Sequence, residues 1–167
     1  MQFFSAFSAL SAVNHFKGAM MKTRETKYWI AVASKDHVMA GVAGGFMQAN
    51  HGKSSPLRRV APGDWVIYYS SKVRYKEKEP CQAFTAVGQV KEGEVYTAVM
   101  SPNFEPARRD VDFKSCEEVA IRPLIDKLSF IEDKQRWGYM FRFGFFEITQ
   151  ADFELIAREM ALIVARV

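Results

Sequence analysis

The sequence predicts an α+β fold, a closed or half-closed β-barrel of about six short strands with helices packed around it. Three observations carry that expectation. Short runs rich in β-branched and aromatic residues recur through the middle of the chain, each bounded by turn residues. Helical spacing of apolar residues is concentrated near the two ends. The composition, 49% hydrophobic and 25% charged over 167 residues, is that of one globular domain able to bury a core unaided.

The elements follow in order. Lys27–Ala33 (KYWIAVA) is nearly continuously apolar, the pattern of a central strand. Ser34 is placed to cap a short helix over Lys35–Val42, stopped by Gly44 and Gly45. Gly45–Leu57 has no period and reads as a loop, and Pro62-Gly63-Asp64 as a turn. Trp65–Ser70 (WVIYYS) is a second strand, followed by a charged, solvated hairpin tip over Lys72–Glu79. Ala83–Val90 is a third strand with Gly88 as a candidate bulge. Val95–Val99, Arg108–Phe113 and Cys116–Ala120 are further short strands, Pro123–Leu128 a helical turn and Phe145–Glu147 a late strand. Thr149, with Asp152 three residues on, caps a final helix whose apolar face carries Phe153, Ile156, Met160, Ile163 and Val164.

The charge balance is 23 basic against 19 acidic residues, a net of +4, which permits a polyanionic partner without requiring one. No apolar run reaches about eighteen residues, so a membrane-spanning helix is not expected. Cys81 and Cys116 could form one bridge at most, and they read as free thiols of a cytoplasmic protein. Neither has a partner at metal-ligand spacing, so neither metal nor cofactor is expected. Residues 1–21 read as an N-terminal extension. Met1 to Val13 is uncharged and rich in Phe, Ser and Ala, but the basic segment that opens a secretory signal is missing.

Several chemical motifs fail on inspection. Gly52-Lys53-Ser54 suggests a phosphate loop, but the glycine needed five residues earlier is Met47, and Pro56 interrupts any following helix. His15, His37 and His51 are the only histidines, and Asp36 beside His37 points elsewhere on a helix. No nucleophile, base and orienting carboxylate assemble, and the chain is not expected to be an enzyme.

What remains is a set of aromatic, amide and guanidinium groups. Trp29, Phe46, Trp65, Tyr68 and Tyr69 stand near Ser34, Gln48, Asn50 and Ser70, and Arg108-Arg109-Asp110 adds two cations on opposite faces of a strand. Aromatic faces stack on nucleobases, amides read base edges, and Arg or Lys meets phosphate. The competing interpretation is that the strand aromatics are simply core.

The blocks KYWIAVAS, GGFMQANHGKSSPLRRVAPGDWVIYYS, CQAFTAVGQV and PARRDVDF resemble the EVE-domain family, over about Lys27 to Ala161. The resemblance implies one EVE domain over residues 22–167, a PUA-like mixed β-barrel related to the YTH domains. It also implies an aromatic pocket at the barrel mouth for a single, modified nucleobase in DNA or RNA, bound without catalysis. Matched position by position, that pocket would use Trp29, Ser34, Gly45, Phe46, Gln48, Tyr69, Ser70 and Arg109. Lys53, Lys72 and Arg108 are expected at the rim as phosphate contacts, on their chemistry alone. No obligate protein partner is implied. The alternatives are a module for a free nucleotide or nucleobase derivative, and an enzyme acting on a modified base with Asp110 or His51 inside the pocket.

Overall fold

A computed structural model describes residues 24–161. The expectations for residues 1–21, and for Ile163 and Val164 on the final helix, lie outside the described residues. The chain runs β1 (Tyr28–Val32), α1 (Lys35–Gly44), β2 (Phe46–Met47), a 3₁₀ turn (Asn50–Gly52), α2 (Ser54–Leu57), β3 (Trp65–Lys72) and β4 (Pro80–Val90). Then come β5 (Tyr96–Thr97), β6 (Ala107–Phe113), β7 (Val119–Ala120), 3₁₀ turns at Arg122–Lys127 and Met140–Phe143, β8 (Phe145–Ile148) and α3 (Gln150–Glu159). The segment predicted as loop therefore holds a two-residue strand and two short helical turns. Each spans four residues or fewer, too short to show a period.

The main ladder runs β2-β6-β4-β3-β1-β8, with β5 added to β6 and β7 to β4, and it curls into a half-barrel. β1 and β3 pair in parallel, and every other pair is antiparallel. The continuous apolar runs of β1 and β3 follow from burial on both faces of the sheet. On one face Ile30, Ile67, Tyr69, Phe84 and Val87 pack against Phe153, Ile156 and Met160 of α3. On the other, Trp29, Ala31, Val66 and Tyr68 pack with Val38 of α1, Leu57 of α2 and Val111 of β6. Thr149 caps α3 as its spacing predicts, its hydroxyl accepting from the Asp152 amide at 3.1 Å.

The bulge falls elsewhere than expected. Tyr68 pairs with Ala86 and Tyr69 with Phe84, so Thr85 is the extra residue. Gly88 stays in register opposite Val66 and Phe113. A Cβ there would meet Val111 Cγ1 at 2.5 Å and the Asp112 carbonyl oxygen at 2.9 Å, so glycine is required by the close approach of β6.

Candidate binding site

A cavity of about 700 Å³ opens beyond the C-terminal ends of the parallel strands β1 and β3. Its walls come from the end of β1, α1, the Phe46–Lys53 segment, the β3–β4 tip and the turn before β8. Five cationic side chains line it, Lys53, Lys72, Arg74, Lys76 and Arg142, and among the described residues no Asp or Glu does. Arg74 lies 3.7 Å from Glu77, whereas the other four form no ion pair among the described residues. A chain with net charge +4 thus gathers five positive charges around one opening.

The loop over the cavity holds an uncommon backbone. Asn50, His51 and Gly52 all have positive φ, at 46°, 59° and 82°, a left-handed turn in which the amides of Gly52 and Lys53 both reach the Ala49 carbonyl. Gly52 is fixed twice, by its φ and by Pro106, whose Cβ would lie 2.5 Å from an added methyl. Tyr68 clamps the segment ahead of this turn: its phenol accepts from the Gln48 amide at 3.1 Å and donates to the Gln48 carbonyl at 2.8 Å. Burial holds the Tyr68 hydroxyl protonated well above its ordinary range.

Beside that clamp, the Arg108 guanidinium lies 3.7 Å above the Phe46 ring centroid. With its amide oxygen turned toward Arg108, Gln48 accepts from Nε at 2.8 Å and from Nη2 at 3.3 Å. On the opposite rim His37 stacks on Tyr75 with centroids 5.1 Å apart, and Phe143 stands exposed. The Ser34 hydroxyl is buried at the cavity wall with no hydrogen-bond partner among the described residues. It stands near Asp36 without hydrogen-bond geometry. Partial burial works against that carboxylate, but the Ser34 hydroxyl and the amides of Tyr75 and His37 hold it below its usual value.

Of the residues expected to converge here, Ser34, Phe46, Gln48, Lys53 and Lys72 line the cavity, and Arg108 covers one face of Phe46. The others lie elsewhere, each for a visible reason. Trp29 is buried, stacked on Phe145 at 5.0 Å and covered by Arg59 at 4.8 Å, and its indole N–H donates to Asp64 at 3.0 Å. Tyr69 faces the α3 core, stacked on Phe141 with centroids 3.8 Å apart. The three rings Trp29, Phe46 and Tyr69 therefore do not share one cavity. Gly45 is the left-handed C-cap of α1, its carbonyl accepting from Val111 N–H at 2.9 Å. Ser70 is buried against the Thr85 hydroxyl at 2.8 Å.

Arg109 lies on the buried face of β6 with Val111, as the alternation of its strand predicts. Its guanidinium donates to the Gly93 carbonyl at 3.0 Å, while Nε has no partner and no carboxylate pairs with it among the described residues. Asp110 accepts from the Tyr96 hydroxyl at 2.8 Å and stands apart from the cavity lining, whereas His51 is at the cavity mouth with no acid beside it there. Tyr68, one of the candidate aromatics but outside the matched pocket, lines the cavity, and so do Tyr75, Arg142 and Phe143, which the sequence does not single out. For Tyr75 and Arg142 no local pattern distinguishes them from any solvated loop residue.

Among the described residues no helix is long and apolar enough to cross a membrane, and no metal-binding cluster occurs. Cys81 and Cys116 are free thiols whose pKa values burial pushes up.

Comparison with known proteins supplies the context. A UPF0310 protein of Mycobacterium avium is 58% identical over 132 residues, 79% of this chain and 96% of that protein. The UPF0310 protein YdcG of Bacillus subtilis is 43% identical over 137 residues, 82% of this chain and 94% of its own length. Among solved structures, a hypothetical protein from Leishmania major superposes with TM-score 0.55 at 13% identity, covering 82% of this chain and 96% of that one. A protein from Rhodopseudomonas palustris gives TM-score 0.51 at 17% identity over 83% and 96% of the two chains. At such identities the likeness is one of fold. The EVE domain matches residues 27–159, and the chain belongs to the EVE-domain family.

Proposed function

We propose that this chain is a nucleic-acid-binding module with no catalytic activity of its own, built on a PUA-like half-barrel, and that the cavity beside Phe46 holds one extruded, modified nucleobase. One observation supports this above the rest: five cations and, among the described residues, no carboxylate line a cavity rimmed by Phe46, Tyr75 and Phe143. A phosphate backbone can follow the cations while a base enters among the rings. The cavity volume of about 700 Å³ lies within the range of small-ligand sites.

The magnitudes are consistent with weak, salt-sensitive binding. Extruding a base costs a few kcal/mol, and stacking returns roughly 1–3 kcal/mol per base. A methyl group against an apolar wall adds about 0.8 kcal/mol, so the modification tunes affinity modestly. Phosphate contacts supply the remainder and lower log K by about 0.9 per contact for each tenfold rise in salt.

Fluorescence anisotropy with labelled oligonucleotides, unmodified or carrying one methylated cytosine or adenine, tests the proposal across a salt series. The expected result is tighter binding to a modified strand and a salt slope that falls by about two in the Lys72→Ala, Arg142→Ala double variant. Binding of free nucleosides with no salt dependence would overturn it and assign the cavity to a small molecule.

A further inference from the structure

The hairpin joining β5 to β6 exposes apolar side chains that the cavity does not use. Val99 is 75% exposed, Met100 56% and Phe104 41%, all within six residues. This excursion is well tied. Its tip is the two-residue turn Pro102-Asn103, closed by Ser101 N–H to the Phe104 carbonyl at 3.2 Å and Phe104 N–H to the Ser101 carbonyl at 3.1 Å. The rungs below are Met100 N–H to the Phe104 carbonyl at 3.1 Å and Ala98 N–H to the Pro106 carbonyl at 3.0 Å. Proline at the tip fixes one φ, so the protrusion is rigid.

The hairpin stands at the cavity mouth. The end of the Gln48 amide that faces Arg108 lies 3.7 Å from Met100 Sδ. Pro106 and Phe104 pack so close to Gly52 that an added Cβ would lie 2.5 Å from the first and 3.5 Å from the second. Gln48 and Gly52 both line the cavity. A rigid apolar tip therefore adjoins a basic opening large enough for a nucleotide-sized group.

We infer that this hairpin is a wedge: the site meets its base inside a duplex, and Met100 and Phe104 enter the stack beside the base that leaves it. The inference rests on the nucleic-acid reading above. Its physical basis is that apolar side chains inserted between base steps stabilise the unstacked geometry and cover the flanking base faces. Exposed Met and Phe on a pre-formed support suit that role, both being side chains found inserted between base steps.

The test compares a short duplex holding one mispaired nucleotide, with 2-aminopurine as its neighbour, against the same strand alone, each as DNA and as RNA. Wild-type protein is expected to raise 2-aminopurine fluorescence in the duplex, reporting lost stacking. Val99→Ser changes an exposed side chain and is expected to melt with wild type, whereas the Met100→Ser, Phe104→Ser double variant also loses the contact of Phe104 with Gly52 and is expected to melt slightly lower with the fold intact. The double variant is expected to lose about tenfold in duplex affinity and the fluorescence rise, while single-strand affinity stays within about twofold.

Equal losses on duplex and single strand, or none on either, would overturn the wedge. So would loss of protein self-association with duplex binding intact, which would make the hairpin a protein interface. If wild type binds the single strand alone, the nucleic-acid reading stands and the wedge falls. If it binds neither, both fall.

Discussion

The corner around Trp29 and Asp64 and the corner around Phe46 and Gln48 are made of the same kinds of residue, an aromatic ring, a polar side chain and a guanidinium stacked on the ring. In the first corner, among the described residues, no buried side-chain donor or acceptor is left unpaired. Asp64 is fully buried and receives Arg24 at 2.6 and 3.0 Å, the Trp29 indole at 3.0 Å, and the amides of Lys27 and Ala61 at 3.0 Å each. In the second, a buried hydroxyl with no hydrogen-bond geometry to any group, a left-handed loop and four cations without ion pairs, all counted among the described residues, border open space. Residue types do not distinguish a scaffold from a site. Unsatisfied groups around a cavity do, and the two corners can be pulled apart by substitution.

The largest effect is expected at Asp64. Replacing it with Ala strands buried donors from Trp29, Lys27 and Ala61 and is expected to cost about 3–5 kcal/mol in urea unfolding, with oligonucleotide affinity of the folded fraction unchanged. Burial works against this carboxylate, but its donors outweigh burial and hold it below the usual carboxylate value. The sign follows: the unfolded chain binds the proton more readily, so stability from Asp64 is full above the unfolded pKa of about 3.9 and is lost as pH falls through the lower folded value. The stability gap between wild type and Asp64→Asn should accordingly shrink below about pH 4. Lost affinity at full stability would merge the two corners.

Phe46→Ala comes next. It removes the ring that Arg108 covers and is expected to weaken base-carrying oligonucleotides by about 1–3 kcal/mol in anisotropy titrations. The ring is only partly buried, so the melting temperature should shift less than for Trp29→Ala, whose ring is in the core. The reverse order would make Phe46 scaffold.

Arg109 tests an expectation that the structure reverses. Its guanidinium is buried with one carbonyl partner and an idle Nε, away from the cavity. Arg109→Met keeps the apolar stem and removes the unpaired group, so stability should change by about 1 kcal/mol or less, with binding unaltered. Arg109→Ala should cost more, through lost packing. A binding defect in Arg109→Met would restore it to the site.

What could be read from the chain depended on alternation. R-R-D-V-D-F alternates, so the opposite faces of Arg108 and Arg109 were legible, as were the cap of α3 and its first apolar turns. The run W-V-I-Y-Y-S does not alternate, because β3 is buried on both faces. No phase can be assigned from the run itself, and the match to the family places Tyr69 in the pocket where Tyr68 faces the cavity. Trp29 was misjudged for another reason: its indole is satisfied by Asp64, 35 positions away, a pairing that no local pattern contains. The left-handed Asn50-His51-Gly52 turn was marked only by its glycine.

The smallest effect is the sharpest discriminator. Ser34 occupies the N-cap position of α1 but makes no capping hydrogen bond, and its hydroxyl is buried without a partner. Without a capping bond to the helix backbone the hydroxyl stabilises α1 little, so Ser34→Ala should leave unfolding within about 0.5 kcal/mol of wild type. The same hydroxyl, at the cavity wall beside Asp36, can turn to bond a polar edge of whatever enters. Its removal should then weaken binding by about 0.5–1.5 kcal/mol, the net worth of one hydrogen bond. A strand with the base replaced by an abasic site should not register the change, because the bond lost is to the base and not to the backbone. If Ser34→Ala instead lowers stability by about 1 kcal/mol or more and spares binding, the hydroxyl is a cap after all, and the contrast between the two corners narrows to charge alone.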